Sequence, residues 1–245
     1  MENVKTEMLA IPGARREGFE LLESALREFA KDDALALTAF GGWLVGDPFF
    51  ADQAAASVAV LSHVDLHMLD RLASAGSRLG KHNIRAPLVM TPEYIKSSCD
   101  VFPLELIEIQ QLHAPLFGDD FFAGCAFQPR EVRLQCEREL KSELIQLRQG
   151  LLAAAGRHAL LADLCHACAM RCVRILRGLL LLSGVDPAPQ KAADLVHAAA
   201  ETVGRDLVIV RRSVTSDDRS DFDEFQRIYA EIEALADHVD ALSDE

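Results

Sequence analysis

The glycine pair Gly41-Gly42 closes a strand-like run, Leu35-Ala36-Leu37-Thr38-Ala39-Phe40. Glycines at a strand end let backbone amides come close to a phosphate, because no Cβ stands in the way. Magnesium-assisted phosphate chemistry also needs converging carboxylates, and two acids spaced by two on a strand project to one side and can share metal ions. The next strand-like run, Ser57-Val58-Ala59-Val60-Leu61, follows Ala54-Ala55-Ala56 and has no acid at its start. The nearest carboxylate is Asp52, which has Ala54 rather than an acid at i+2. Asp47 lies in a Gly-Asp-Pro turn and Asp65 opens the next helix, so local structure accounts for both. Asp100 and Glu105 are acids of a later apolar stretch, Asp100 to Ile109.

Two other sets of residues invite a chemical reading. Cys165, Cys168 and Cys172 include a C-x-x-C, but their i, i+3, i+7 spacing places them on one helix face, where cysteine behaves as a small hydrophobe. A zinc site would need a fourth ligand and a turn between ligands, and the sequence shows neither there. His113, near the end of the apolar stretch, titrates near neutrality in its ordinary state but stands alone, as a surface or satisfied core histidine does. No Gly-x-Ser-x-Gly elbow, His-Glu-x-x-His helix or Walker lysine motif occurs. No histidine has an arginine upstream with four to six residues between them, and Arg78 to His82 has only three, which leaves a ribonuclease-type Arg/His pair without a basis.

The elements that position these residues can be read from periodicity. Glu17 to Ala30 carries Phe19, Leu22, Leu26 and Phe29 on one side, which predicts an amphipathic helix before the first strand. Asp65 to Leu79 predicts a crossover helix, Pro87 to Met90 a short strand, and Thr91-Pro92-Glu93 the cap of a short helix through Lys96. Asp100 to Ile109 reads as a strand weakened by Pro103, with Glu105 on the side of Val101 and Ile107. A structural pairing of Glu105 with an arginine of the later helices is the plain expectation, and a ligand-reading role the sharper one. From Arg130 the pattern is helical: Arg130 to Gly156, His158 to Leu182 and Gln190 to Val203. Asp206 to Val210 fits strand or helix, Thr215 to Ser220 is a polar loop, and Phe222, Phe225, Tyr229, Ile232, Ala236 and Val239 form one apolar seam.

With 245 residues, half of them hydrophobic, the chain can bury a sizeable core in one large or two moderate domains. The formal charge of -13, with lysines and arginines scattered, repels phosphate polymers and argues against nucleic-acid binding, while a small anion can still be captured locally. Charges interrupt the N-terminal segment too often for a secretion signal, and the apolar run Gly178 to Leu182 is too short for a bilayer. The expectation is a cytoplasmic protein with no membrane contact and reduced thiols.

The Gly41-Gly42 turn, the βαβ-like order after it, Cys99-Asp100-Val101-Phe102-Pro103-Leu104-Glu105, Leu116-Phe117-Gly118-Asp119 and the charged helix Arg133 to Leu140 with Leu147-Arg148-Gln149-Gly150 together resemble a bacterial family of the nucleotidyltransferase superfamily. Its helical part is similar to the C-terminal domain of kanamycin nucleotidyltransferase. The resemblance implies an α+β fold: a small mixed β-sheet domain over residues 1–122, then an α-helical bundle over 123–245, the boundary falling between Gly118 and Arg130. It also implies a glycine turn that grips triphosphate, an Asp-x-Asp pair on the next strand and a third carboxylate on a later one. Ala54 to Val58 stands where the acid pair belongs, and Asp100 or Glu105 at the third position. The expected function is a pseudoenzyme that binds a nucleotide, a small anionic ligand or a partner through Gly41, Gly42, Asp52, Asp100 and Glu105, with no catalytic residue, metal or cofactor. The alternative is an active transferase that moves a nucleoside monophosphate to a small-molecule or protein hydroxyl, using magnesium and the unconventional set Asp52, Asp100 and Glu105. The seam from Phe222 to Val239 is expected to be core, with a homodimer through the C-terminal helices as its other use.

Overall fold

The first helix, α1 (Gly13–Phe29), buries Phe19, Leu22 and Leu26 and leaves its charged side to solvent, as its 3.6-residue pattern requires. In this computed structural model residues 11, 13–187, 190–215 and 221–242 are described. Most of the N-terminal charged segment, and the part of the polar loop from 216 to 220, lie outside the described residues. The chain divides into two compact units: residues 1–99 with 108–126, and residues 100–107 with 127–245.

In unit 1, β1 (Ala34–Phe40) and β2 (Ala56–Leu61) pair antiparallel with register Phe40 to Ala56 and Thr38 to Val58. Helices α2 (Leu66–Ala73) and α3 (Gly76–Lys81) follow, then β3 (Leu88–Met90), which lies parallel to β2. Asp65 caps α2 by accepting the His67 amide. The single helix expected from Asp65 to Leu79 is thus broken at Ser74-Ala75 into two short ones, both packed on α1. Thr91 caps α4 (Pro92–Ser97), whose first helical residue is the proline. After α5 (Pro103–Gln111), β4 (His113–Gly118) pairs antiparallel with β1, giving the mixed order β3-β2-β1-β4.

Helix α5 corrects the strand expected from Asp100 to Ile109. Leu104, Leu106, Ile107 and Ile109 are all buried, so this helix is covered on more than one side and its apolar run loses helical periodicity. Pro103 sits at its start, where its missing N–H costs nothing. The alternation that set Glu105 beside Val101 therefore does not exist.

Unit 2 holds the long helices α6 (Pro129–Ala154) and α7 (Leu161–Leu182), then α8 (Ala192–Val203), α9 (Val208–Ser213) and α10 (Phe222–Asp240). The ambiguous stretch Asp206 to Val210 resolves as the start of α9. The Glu231 carboxylate on α10 accepts the Ile209 and Val210 amides, a cap that no local sequence signal reveals. Helix α7 packs against α6, α8, α9 and α10 and is the centre of this unit. Cys165, Cys168 and Cys172 are buried along it, with the Cys168 and Cys172 sulfurs 3.9 Å apart. They are packing residues, as their spacing predicted. Phe225, Ile232, Ala236 and Val239 of the final seam are also buried, while Phe222 stays exposed. The α+β class, a small mixed sheet followed by helices, holds. Among the described residues no helix is long and apolar enough to cross a membrane.

Candidate functional site

The end of β1 is built by close packing and backbone hydrogen bonds. Gly41 has φ +114° and ψ 170°, a conformation that only glycine adopts without strain. Its amide donates to the Leu112 carbonyl 2.8 Å away, and its carbonyl accepts the Leu44 amide to open a short 3-10 turn, Gly42–Val45. A Cβ on Gly42 would lie 2.2 Å from the Phe50 ring, so this glycine is also required for the ring to pack. Trp43 stacks on Phe19 with ring centroids 5.8 Å apart and donates its indole N–H to the Phe40 carbonyl.

Arg15, from α1, is buried, and its guanidinium lies over the Trp43 ring, 4.9 Å from the centroid. Its Nη2 donates to the Ala51 and Gln53 carbonyls at 2.7 and 2.8 Å. Burial lowers the Arg15 pKa, but a guanidinium starts so high that it remains charged. Asn83 Nδ2 adds longer bonds to the Asp52 and Gln53 carbonyls. The backbone around Asp52 is thereby pinned from two sides, while the Asp52 side chain is exposed in a turn.

His113 faces Phe40 in the β1–β4 ladder, beside the glycine turn. The ring is buried; Nδ1 lies 3.0 Å from the Gln110 carbonyl and Nε2 lies 2.9 Å from Asp120 Oδ2. Both nitrogens are occupied, which makes it a satisfied core histidine. Asp120 also accepts the Phe122 and Ala123 amides. Burial pushes the Asp120 carboxyl up, but the hydrogen bonds from His113 and the two amides outweigh it and hold the group below its usual range. Gln110 Nε2 donates to the Phe122 and Cys125 carbonyls and ties down the same loop. The sequence reading missed Arg15, Trp43 and Asp120; an arginine and a tryptophan near a glycine pair were a weak signal, because only the fold brings position 15 to position 43.

At the start of β2, where an acid pair would serve metal chemistry, Ser57 and Val58 are buried. The parallel neighbour β3 presents Leu88, Val89 and Met90. Among the described residues no group of three or more His, Cys, Asp or Glu side chains is arranged to hold a metal ion.

Asp100 and Glu105 belong to unit 2. Asp100 is exposed in a turn before α5. Glu105 is held between Gln135 Nε2, at 2.7 Å from Oε2, and Arg174 Nη1, at 3.2 Å from Oε1. Gln135 Oε1 in turn accepts the Leu104 amide, so this cluster fixes the first turn of α5 within unit 2. The arginine partner expected for Glu105 is Arg174.

No protein-family model matches the sequence, and no curated protein matches it. Among solved structures, spectinomycin adenyltransferase AAD(9) from Enterococcus faecialis, determined with ATP and spectinomycin, superposes with a TM-score of 0.57 at 10% identity. The match covers 92% of this chain and 99% of that one. The chain has a nucleotidyltransferase fold. At that identity the likeness concerns the fold, and the residues of the site must be judged by themselves.

Proposed function

We propose that this protein binds a nucleotide or a similar small anionic ligand at the glycine turn, without metal-dependent nucleotidyl transfer. The observation that carries the reading is the start of β2: Ala56, Ser57 and Val58 stand where two carboxylates would be needed, and Ser57 and Val58 are packed away from solvent. Two divalent cations between an attacking and a leaving oxygen need several anionic oxygens around them. Near that end of the sheet Asp52 has no acid at i+2, while Asp47 accepts the Phe49 amide and Asp120 accepts the Phe122 and Ala123 amides.

Gly41 and Gly42 are the ligand-facing backbone in this reading, with Asp52 at the rim. Asp100 and Glu105 are the further ligand-reading acids of the proposal, although Glu105 already serves Arg174 and Gln135. The adenyltransferase of the same fold was solved with ATP, which supports trying ATP first. We further take residues 1–122 as the ligand-binding part and 123–245 as the helical part, acting as a homodimer in the cytoplasm.

Isothermal calorimetry with ATP, with and without magnesium, is the test. Affinity that changes less than about threefold is expected, since the ion has no protein carboxylate pair to bridge. A steep magnesium requirement, together with a labelled acceptor formed from labelled ATP, would establish instead the transferase that uses Asp52, Asp100 and Glu105.

A further inference from the structure

A cleft of about 290 Å³ opens at the end of the sheet opposite the glycine turn, where β1 begins and β2 ends with Ala34 paired to Leu61. The length of β1 puts it about 20 Å from Gly41, and its whole lining belongs to unit 1. The floor is apolar: Phe29 and Ala30 come from the end of α1 and Met68 from α2, with Ala30 and Met68 buried. The charged part of the lining carries both signs, with Lys31 and Arg71 cationic and Asp32, Asp33 and Asp65 anionic.

These charges are not all equally available. Asp33 Oδ1 accepts the Ser62 hydroxyl at 2.5 Å and lies 3.3 Å from His63 Nδ1. Ser62 Oγ is 3.2 Å from the same ring nitrogen, so hydroxyl and carboxylate meet one side of the imidazole and cannot serve as nucleophile and orienter across a base. Asp65 accepts the His67 amide as the cap of α2. Lys31 and Arg71, by contrast, make no side-chain hydrogen bond or ion pair among the described residues, although three carboxylates share their cleft and the chain has a formal charge of -13. Lys31 is also held at φ +53°, a conformation that a side chain disfavours.

We propose that this cleft binds a free α-amino acid with an apolar side chain. Lys31 and Arg71 take the carboxylate, Asp32 takes the ammonium group, and Phe29, Ala30 and Met68 cover the side chain. A plain anion would meet the acids of the lining, and a plain amine would meet its two cations. A ligand with both charges on one carbon gives each sign a partner, and its apolar part fills the floor. The volume is near the lower bound of small-molecule sites, about 300 Å³, which suits a ligand of amino-acid size. This inference is independent of what the glycine turn binds.

The full-length, isotope-labelled protein is titrated with L-leucine and followed by its amide chemical shifts. Saturable shifts are expected at Lys31 to Asp33 and at Met68 to Arg71. Isocaproate, which lacks the ammonium group, and isoamylamine, which lacks the carboxylate, should each bind at least about tenfold more weakly. Arg71 is exposed, so Arg71→Met should leave the urea midpoint unchanged while weakening leucine about tenfold, and Asp32→Asn should do the same through the ammonium end. Four results would each overturn the assignment: no saturable shift up to about 20 mM leucine, shifts confined to the glycine turn, equal binding of either analogue, or an unchanged leucine affinity in both variants.

Discussion

In the helical unit, the almost fully buried Glu143 accepts two bonds from Arg171, at 2.5 and 2.7 Å, and Glu231 spends its carboxylate on two amides of α9. In the sheet unit, Thr38 and Ser57 bury their hydroxyls in β1 and β2 with no hydrogen-bond partner among the described residues. The difference follows from geometry. Long helices side by side bring arginines and glutamates of distant sequence within reach, whereas two paired strands fill the space between their neighbours with short side chains. The helical unit therefore holds the Glu143–Arg171 pair inside it, and the start of β2 is buried and packed with small residues. A magnesium-binding carboxylate pair would need the opposite arrangement there.

The largest expected effect tests the ionic half of this contrast. Arg171→Met removes the guanidinium and leaves Glu143 charged and buried; the expected loss is about 3–5 kcal/mol in urea unfolding. An effect below about 1 kcal/mol would mean that Glu143 is hydrated or protonated and that the helical unit does not depend on this pair.

Gly42→Ala tests the packed half. With a Cβ placed 2.2 Å from Phe50, the ring must move, and overpacking of this kind costs about 1–3 kcal/mol. If calorimetry showed unchanged stability but lost ATP binding, the glycine would be serving the ligand rather than the Phe50 contact, which would sharpen the functional reading.

Asp120→Asn carries the smallest effect, about 1 kcal/mol at pH 7, because Asn still accepts the Phe122 and Ala123 amides and loses only the charged oxygen that accepts from His113. Asp120 has its folded pKa below the unfolded value of about 4, so its stabilisation is present above that pH and is lost as the pH falls through the lower folded value. Urea midpoints of the variant and the wild type should thus converge on acidification from about pH 5. A gap that stays constant down to pH 2 would show that the carboxylate charge contributes nothing beside the glycine turn.

Much of this architecture was legible before any coordinates. The amphipathic pattern of Phe19, Leu22 and Leu26, the Thr91-Pro92 cap and the cysteine face of α7 all fell where the residues indicated, because each signal is local. The segment around Glu105 was not legible, since Leu104, Leu106, Ile107 and Ile109 are all covered and a helix buried on several sides has no polar stripe to betray its period. The break of the expected helix at Ser74 left no mark either, because Ser-Ala-Gly there is compatible with continuation.

By itself the order of residues determined the glycine pair at the end of β1, the lack of acids at the start of β2 and the run of helices after Arg130, since composition and periodicity act over a few residues. Only the tertiary structure decided that Arg15 lies against Trp43, that His113 is satisfied by Gln110 and Asp120, and that Glu105 serves Arg174. Those pairings join positions from 3 to 69 apart, and the energy that selects them comes from burying the surrounding apolar surface, which no local window of sequence contains.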